Sequence, residues 1–316
     1  MQDVHKIFQD VASELGKVLK GQDRVIEDVI IALFSEGHVL IEGLPGLGKT
    51  LLVNSLAHVI EGRFKRIQFT PDLMPSDIIG TSVFNTEVNR FQIKKGPVFT
   101  NFLLADEINR TAAKTQSALL QAMQERKVNI DGTDYDLGDF FMVIATQNPI
   151  EMEGTYPLPE AQIDRFLMKL FMDYPALEDE RNLLYAYREG FTATDPLSAG
   201  LKMVITQKDI VDIKETIKSV QLDDKIIDYI LDIVTRTRNF SGIELGCSPR
   251  GSISLFQASK VKAVFNLRDF VIPDDIKDLV YPILRHRMIL EAEAEIEGNT
   301  ADDYLKQIIE DTEVPR

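Results

Sequence analysis

The sequence predicts a doubly wound α/β domain built on a parallel sheet, followed by an all-helical domain. Strand-like apolar segments alternate with helix-patterned segments up to about Pro175, which is typical of a parallel sheet covered on both faces. Beyond Pro175 the strand patterns fade, and helical apolar spacing takes over. We therefore expect the α/β domain at residues 1–175 and the helical domain at residues 176–316.

The elements follow in order from apolar spacing and turn residues. In the first domain we predict helices at 3–19, 22–34, 51–60 and 115–125, and strands at 39–42, 64–69, 101–105, 140–145 and 166–172. Polar turns inside 82–93 and 128–138 predict two β-hairpin inserts. In the second domain we predict helices at 178–188, 207–220, 223–237, 249–265 and 273–291.

Composition excludes several classes of protein. The chain has 316 residues, 44% of them hydrophobic, and a formal charge of -15, which disfavours non-specific nucleic-acid binding unless a local basic patch exists. We find no run of about 18 apolar residues, and so expect no membrane insertion. The first residues lack the apolar core of a signal peptide, and Cys247 is the only cysteine, which excludes an intrachain disulfide. We expect a cytoplasmic protein.

The segment from Gly43 to Thr50 fits the pattern G-x-x-x-x-G-K-[ST] between a strand and a helix. Its glycines allow a concave nest of backbone N–H groups, and the start of the helix adds a positive dipole end, so the segment predicts a phosphate-binding loop. A chance glycine-rich turn is the alternative, which the flanking strand and helix disfavour. The candidate nucleotide-binding residues are Leu44, Pro45, Gly46, Leu47, Gly48, Lys49, Thr50 and Leu51.

Within that loop, Lys49 is expected to reach the β- and γ-phosphates and Thr50 to hold Mg²⁺. Asp106 and Glu107 end an apolar strand, where Asp106 is suited to hold Mg²⁺ largely through water and Glu107 to polarise an attacking water. The alternative is an acidic helix start. Asn148 leaves another core strand and could orient the water or the γ-phosphate, although Asn-Pro also begins ordinary turns.

Together these residues resemble the AAA+ ATPases, and within them the MoxR family. The phosphate loop, Asp106-Glu107 and Asn148 stand in that family's order as Walker A, Walker B and sensor 1. The two hairpins resemble the helix-2 insert and the pre-sensor-1 insert of that clade. More specific to MoxR proteins are Asp106-Glu107-Ile108-Asn109-Arg110, Leu119-Leu120-Gln121-Ala122-Met123-Gln124-Glu125, Ala145-Thr146-Gln147-Asn148-Pro149, residues 151–162 and Asp164-Arg165-Phe166.

The resemblance implies roles for two arginines. Arg165 matches the arginine finger, which would reach the γ-phosphate bound by a neighbouring subunit. A surface salt bridge with Asp164 or Glu160 is the alternative for this side chain. Arg250 matches sensor 2, and its place in the first turn of a predicted helix implies contact with the γ-phosphate of its own subunit.

Three further residues have weaker roles by the same resemblance. Gly21 and Gln22 resemble the segment that packs near adenine, although a plain helix-entry turn also explains them. Arg110 could sense the neighbouring subunit, but a charge pair at a helix start explains it nearly as well.

The resemblance implies an ATPase that requires ATP and Mg²⁺, forms a homo-hexamer and remodels or matures partner proteins as a chaperone does. It also implies that the ATPase works with proteins that carry von Willebrand factor A domains. The alternative is a nucleic-acid-directed motor or loader. The acidic total and the lack of an interleaved aromatic and basic stretch argue against nucleic acid as a partner. A nucleotide-dependent scaffold with negligible turnover is a third possibility, which Glu107 and Arg165 disfavour.

Overall fold

The predicted α/β core with a helical second domain is confirmed. A computed structural model describes residues 1–87, 89–138, 140–148 and 155–315. Val88 in the first predicted hairpin, Pro149, and residues 151–154 of the motifs quoted above lie outside the described residues.

The described residues form strands and helices that we number in chain order. The strands are β1 (Val39–Gly43), β2 (Phe64–Gln68), β3 (Gly80–Asn85), β4 (Arg90–Lys95), β5 (Phe102–Asp106), β6 (Lys127–Ile130), β7 (Thr133–Asp136), β8 (Met142–Gln147), β9 (Met168–Met172), β10 (Ile243–Leu245) and β11 (Ile289–Leu290). The α-helices are α1 (Gln2–Val18), α2 (Asp23–Phe34), α3 (Lys49–Val59), α4 (Pro75–Ile79), α5 (Ala113–Glu125), α6 (Glu160–Ile163), α7 (Leu177–Arg188), α8 (Gln207–Lys218), α9 (Asp224–Thr237), α10 (Pro249–Phe265), α11 (Pro273–Leu284), α12 (Ala292–Ile296) and α13 (Ala301–Asp311).

The central sheet runs in the order β2-β5-β8-β1-β9, and every neighbouring pair is parallel. The apolar residues of β5 and β8 are buried, as expected for strands covered by helices on both faces. All five strands therefore end at one edge of the sheet, which we call the carboxyl edge. They begin at the opposite edge, the amino edge. Because a strand rises about 3.3 Å per residue, the two edges lie roughly 15 Å apart.

Both predicted hairpins are present, as the antiparallel pairs β3–β4 and β6–β7. The first hairpin exposes aromatic side chains, since Phe84 and Phe91 contact each other with ring centroids 5.2 Å apart and both face solvent. The short helix α4 leads directly into β3.

The hydrophobic core passes from the α/β part into the helical part. One cluster of buried residues includes side chains of α1, α2 and α3 as well as side chains of α8, α9, α10 and α11. Phe8 of α1 stacks on Phe265 of α10 with ring centroids 6.1 Å apart, and Nζ of Lys262 on α10 pairs with Glu27 of α2. A second cluster lies on the other face of the sheet, under α5 and the hairpins. The helical domain thus packs on the first two helices and on the β9 side of the sheet.

The helical domain differs from the prediction in two places. The helix predicted at 273–291 ends at Leu284, and residues 289–290 form β11, which pairs with β10. The domain is therefore not wholly helical. Between the end of this helix and β11, the side chains of His286 and Arg287 bond to the carbonyl oxygen of Phe166 in the α/β domain. Helices α12 and α13 were not predicted, although Thr300 and Asp303 form a capping box at the start of α13 that the sequence carries.

Helix α7 is the least buried of the long helices described here. Every residue from Leu177 to Arg188 is half-buried or exposed, and Leu177 and Leu184 are 76% and 65% exposed. The first turn carries Glu178, Asp179 and Glu180, which suit a helix start. The described part of the chain holds no helix with the length and apolarity that a membrane span requires.

Candidate active site

The predicted phosphate loop joins β1 to α3 at the carboxyl edge. Gly48 caps α3 with φ +94°, a left-handed conformation that favours glycine. A Cβ on Gly43 would come within 2.6 Å of the carbonyl oxygen of Met172 on β9, so only glycine fits where these strands end. Leu44 and Leu47 line a cavity of about 250 Å³ beside the loop, Pro45 and Gly46 are exposed, and Leu51 is buried in the core.

Lys49 lies at the mouth of this loop, where its Nζ donates to the carbonyl oxygen of Gly43 at 2.6 Å. Burial lowers the pKa of Lys49, while the charges of Asp106, Glu107 and Glu42 oppose that shift. The ammonium group therefore stands within electrostatic reach of the predicted Walker B carboxylates. A bound phosphate would supply the anionic partner that such a half-buried lysine favours.

Asp106 is held from two sides at the end of β5. Its Oδ1 accepts a hydrogen bond from the Thr146 hydroxyl of β8 at 2.6 Å. Its Oδ2 accepts from Nη2 of Arg66 on β2 at 2.6 Å. The same Thr146 oxygen accepts from the backbone N–H of Glu107 at 2.9 Å, so one buried hydroxyl orients both residues of the acidic pair.

Glu107 has φ 56° and ψ 51°, a left-handed conformation that is uncommon for this residue type. Its Oε2 accepts from Nε2 of Gln68 on β2 at 2.7 Å and lies 3.3 Å from Nε of Arg110. Arg110 is thus paired inside its own subunit here. The carboxylate expected to polarise water is held by two side chains of the same chain.

Asn148 follows β8 directly and is half-buried. Since β8 lies between β1 and β5, Asn148 leaves the sheet between the phosphate loop and Asp106. The strand register places the ends of β2, β5 and β8 at the same level, because Ala105 pairs with Ala145 and Gln68 pairs with Asp106. The carboxyl edge therefore collects the predicted Walker A, Walker B and sensor 1 residues.

These residues fit a magnesium ion bound with a nucleotide. The Thr50 hydroxyl and the Asp106 carboxylate are hard oxygen ligands, which Mg²⁺ prefers. Both Asp106 oxygens already accept hydrogen bonds, from Thr146 and Arg66. That arrangement favours contact through metal-bound water over direct coordination.

Gly21 and Gln22 lie next to the phosphate loop, at the start of α2. They line a cavity of about 430 Å³ that shares Phe171, Asp173 and Tyr174 with the cavity beside the loop. Nε2 of Gln22 donates to the carbonyl oxygen of Asp173 at 2.9 Å. The shared lining residues place the segment expected near adenine next to the cavity beside the phosphate loop.

Arg165 lies at the amino edge, in the turn before β9. Its Nη1 donates to Oε1 of Gln124, at the end of α5. The side chain lines a cavity of about 280 Å³ together with Gly37 and His38, which precede β1. Because the phosphate loop follows β1, the sheet separates Arg165 from the phosphate loop of its own chain.

Arg250 does not lie where we expected it. Its Nη1 is 3.5 Å from Oδ2 of Asp164, and it lines the same amino-edge cavity as Arg165. The expected contact of Arg250 with the phosphate loop of its own chain is therefore wrong for this structure. The cause is the docking of the helical domain, which brings the start of α10 against the turn before β9.

Several residues at both edges contact the predicted site residues, although the sequence assigned them no role. Arg66, Gln68 and Thr146 meet the acidic pair only through strand register, although a threonine within an apolar core strand was a visible signal for Thr146. The turn that carries Arg165 is contacted by four further side chains, those of Gln124, Ser248, His286 and Arg287. The sequence signal for Arg287 was the polar run Arg-His-Arg, which interrupts a helical apolar pattern.

Comparison with known proteins agrees with this arrangement. Residues 38–168 match the ATPase family associated with various cellular activities (AAA), and residues 235–308 match the AAA lid domain. The chain is 45% identical to the protein YeaC of Bacillus subtilis over 99% of this chain and 97% of that protein. It is 41% identical to a protein of Mycobacterium tuberculosis named Chaperone MoxR1, over 99% of this chain and 84% of that protein.

A solved structure supports the same assignment. A crystal structure of a candidate ATPase from Cytophaga hutchinsonii superposes with a TM-score of 0.91 at 42% sequence identity, covering 100% of this chain and 97% of that one. The order of the site residues, the parallel sheet with its lid and the similarity over the full length all point to one assignment. The chain belongs to the MoxR family of AAA+ ATPases.

Proposed function

We propose that this chain hydrolyses ATP with Mg²⁺ as a ring of identical subunits, and that the ring remodels or matures partner proteins. One observation carries the proposal. The phosphate loop lies at the carboxyl edge of the sheet, whereas Arg165 and Arg250 line a cavity at the amino edge. A site that needs both sets of residues is complete only between two subunits, which is the arrangement a closed ring provides.

Each chain would supply most of its own site. The backbone of residues 43–50 and Lys49 would hold the phosphates, while Thr50 and Asp106 would hold Mg²⁺, which would supply positive charge to the phosphates. Glu107 takes a proton from the attacking water, and Asn148 orients that water. Arg165 of one subunit stabilises the charge that develops at its neighbour's γ-phosphate, a contribution of about 10³–10⁵ in rate for arginine fingers. From its position beside Arg165, Arg250 acts on the same neighbouring site.

Variants of the residues just named test the hydrolytic site. Lys49→Ala is expected to lose ATP binding, measured with a fluorescent ATP analogue, and retained micromolar affinity would contradict the phosphate-loop assignment. Glu107→Gln is expected to bind ATP with near-normal affinity and to stall hydrolysis. Normal phosphate release by that variant would show that a residue other than Glu107 is the general base.

Mixed assemblies test action between subunits. Arg165→Ala protein and Lys49→Ala protein are each expected to be inactive alone. When mixed, they form interfaces where an intact phosphate loop meets an intact Arg165, and turnover is expected to return in part. Native mass spectrometry establishes that mixed rings are present. No return of turnover in such rings would contradict the proposal that Arg165 acts on its neighbour.

The ring is proposed as a homo-hexamer that works in the cytoplasm with proteins carrying von Willebrand factor A domains. The resemblance to MoxR proteins supports this assignment, and the relative named Chaperone MoxR1 supports a role on proteins rather than on nucleic acid. The net charge of -15 supports the same choice. Sedimentation velocity with ATP is expected to report six subunits for Glu107→Gln.

Partner capture can test the protein-remodelling role. Glu107→Gln with ATP is expected to retain a von Willebrand factor A domain protein from the native host, and Lys49→Ala serves as the control that cannot bind ATP. The purified partner is then expected to change the ATP turnover of the wild-type chain. Turnover that rises many-fold with DNA or RNA, and not with the partner, would favour the nucleic-acid alternative.

A further inference from the structure

The turn that carries Arg165 is fastened to the helical domain. This turn, residues 164–167 and here called the finger turn, connects α6 to β9. The Ser248 hydroxyl, at the start of α10, donates to Oδ2 of Asp164 at 2.9 Å. Nη2 of Arg287, just after α11, donates to the carbonyl oxygen of Phe166 at 2.7 Å. Two separate segments of the helical domain therefore donate hydrogen bonds to the residues on both sides of Arg165.

Arg287 is the central group of this contact. Its side chain is 2% exposed, and its Nη1 lies 3.5 Å from Oδ1 of Asp164. Burial lowers the pKa of Arg287 to about 10, while Asp164 opposes that shift, so the guanidinium remains charged at neutral pH. Nε2 of His286 lies 3.0 Å from the same Phe166 oxygen, which can only accept, so the imidazole donates there. A buried charge with fixed hydrogen-bond partners has one preferred geometry.

We propose that Arg287, together with Ser248, acts as a positioning group that sets the direction of Arg165 toward the neighbouring subunit. The inference rests on the proposed ATPase function and on action of Arg165 between subunits. Gln124 holds the tip of the Arg165 side chain, while the helical domain fixes the backbone from which it extends. When the helical domain tilts, the finger turn moves with it, and the neighbour's site gains or loses its arginine.

The consequence for kinetics is specific. Arg287 lies at the amino edge, so its loss leaves the chain's own phosphate loop unchanged and disturbs only the arginine offered to the neighbour. Displacement of a catalytic group by about 1 Å can cost on the order of 100-fold in rate. Arg287→Gln is therefore expected to lower kcat by about 10-fold or more while the KM for ATP changes little.

Mixed rings separate positioning from a structural role. In rings of Arg287→Gln with Lys49→Ala, some interfaces join an intact phosphate loop to a correctly held Arg165, and turnover is expected to return. In rings of Arg287→Gln with Arg165→Ala no such interface exists, and turnover is expected to stay low. Arg268→Gln is the matched control, because it removes another arginine–aspartate pair of the helical domain, with Asp275, far from the finger turn.

The outcomes distinguish this inference from the proposed function. If Arg165→Ala complements Lys49→Ala and Arg287→Gln does not, the positioning role is wrong. If neither variant complements Lys49→Ala, the proposal that Arg165 acts on the neighbouring subunit is wrong. Unchanged kcat for Arg287→Gln would also overturn the inference. Should Arg287→Gln fail to fold, Asp164→Asn is used in the same mixtures, because it keeps the bond from Ser248 and removes the charge that faces Arg287.

Discussion

Acid should destabilise this protein through His38, a buried histidine at the amino edge. The imidazole ring lies between α5 and β8, since its Nε2 donates to the Met123 carbonyl oxygen of α5 and its Nδ1 accepts from the Val143 N–H of β8. Burial lowers the pKa of His38 from 6.5 to about 4, and the nearby charge of Arg126 acts in the same direction. Protonation of Nδ1 would place its new N–H against the backbone N–H of Val143, and the hydrogen bond between them would be lost. The neutral ring is therefore the form that the fold requires.

The sign and size of the effect follow from linkage. The stabilisation is fully present above about pH 6.5, the pKa of an unfolded histidine, and is lost as the pH falls toward 4. The two pKa values imply a loss of about 2 kcal/mol in the free energy of unfolding between about pH 7.5 and about pH 5. His38→Gln, which cannot titrate there, is expected to lose about 2 kcal/mol less over the same interval.

Urea unfolding of both proteins at the two pH values measures this difference. His286 is also buried with a lowered pKa, but it is present in both proteins and cancels in the comparison. Equal losses of stability in the wild type and His38→Gln would refute the reasoning. That result would mean that the His38 ring accepts a proton in the folded state without losing its contacts.

Four other perturbations have expected outcomes. Thr146→Val removes the hydroxyl that orients Asp106 and should lower kcat about 10-fold in steady-state assays, whereas Thr146→Ser should stay near the wild-type rate. Gln68→Ala frees Glu107 from one partner and should raise basal phosphate release, and a fall would assign Gln68 a direct role in catalysis. Burial raises the pKa of Asp28 from 3.8 to about 6, so the free energy of unfolding falls as the pH rises from 3.8 through 6. Asp28→Asn should therefore raise the free energy of unfolding by up to about 3 kcal/mol at pH 8 and leave it unchanged at pH 4. No gain at pH 8 would contradict this reasoning. Chelation of Mg²⁺ with EDTA should abolish phosphate release, and full activity with EDTA would remove the metal from the proposal.

The sequence predicted those parts of the site that are local in the chain. The phosphate loop is one continuous segment with its strand and helix beside it, and Asp106, Glu107 and Asn148 follow apolar strands that periodicity reveals. The parallel strands of the sheet place these strand ends at one edge.

Contacts between residues far apart in the sequence could not be predicted from local patterns. Arg66, Gln68 and Thr146 reach the acidic pair only because of strand order and register, which no local pattern encodes. Arg250 was correctly placed in the first turn of a helix, but the edge of the sheet that receives this helix depends on how the whole helical domain packs. The helix ending at Leu284 was predicted too long because residues 289–290, which continue the apolar pattern, pair with β10 as the strand β11.

The core shared by α1, α2 and α10 makes the two halves of the chain a single cooperative unit. The Phe8–Phe265 stack, the Lys262–Glu27 pair and the bond between His5 and the Phe265 carbonyl oxygen all join the first helices to the helical domain. A chain cut after residue 175 would leave the apolar faces of α1 and α2 in water, at about 25 cal/mol for each Å² exposed. Such a fragment should aggregate rather than fold, and heat should melt the full chain in one transition.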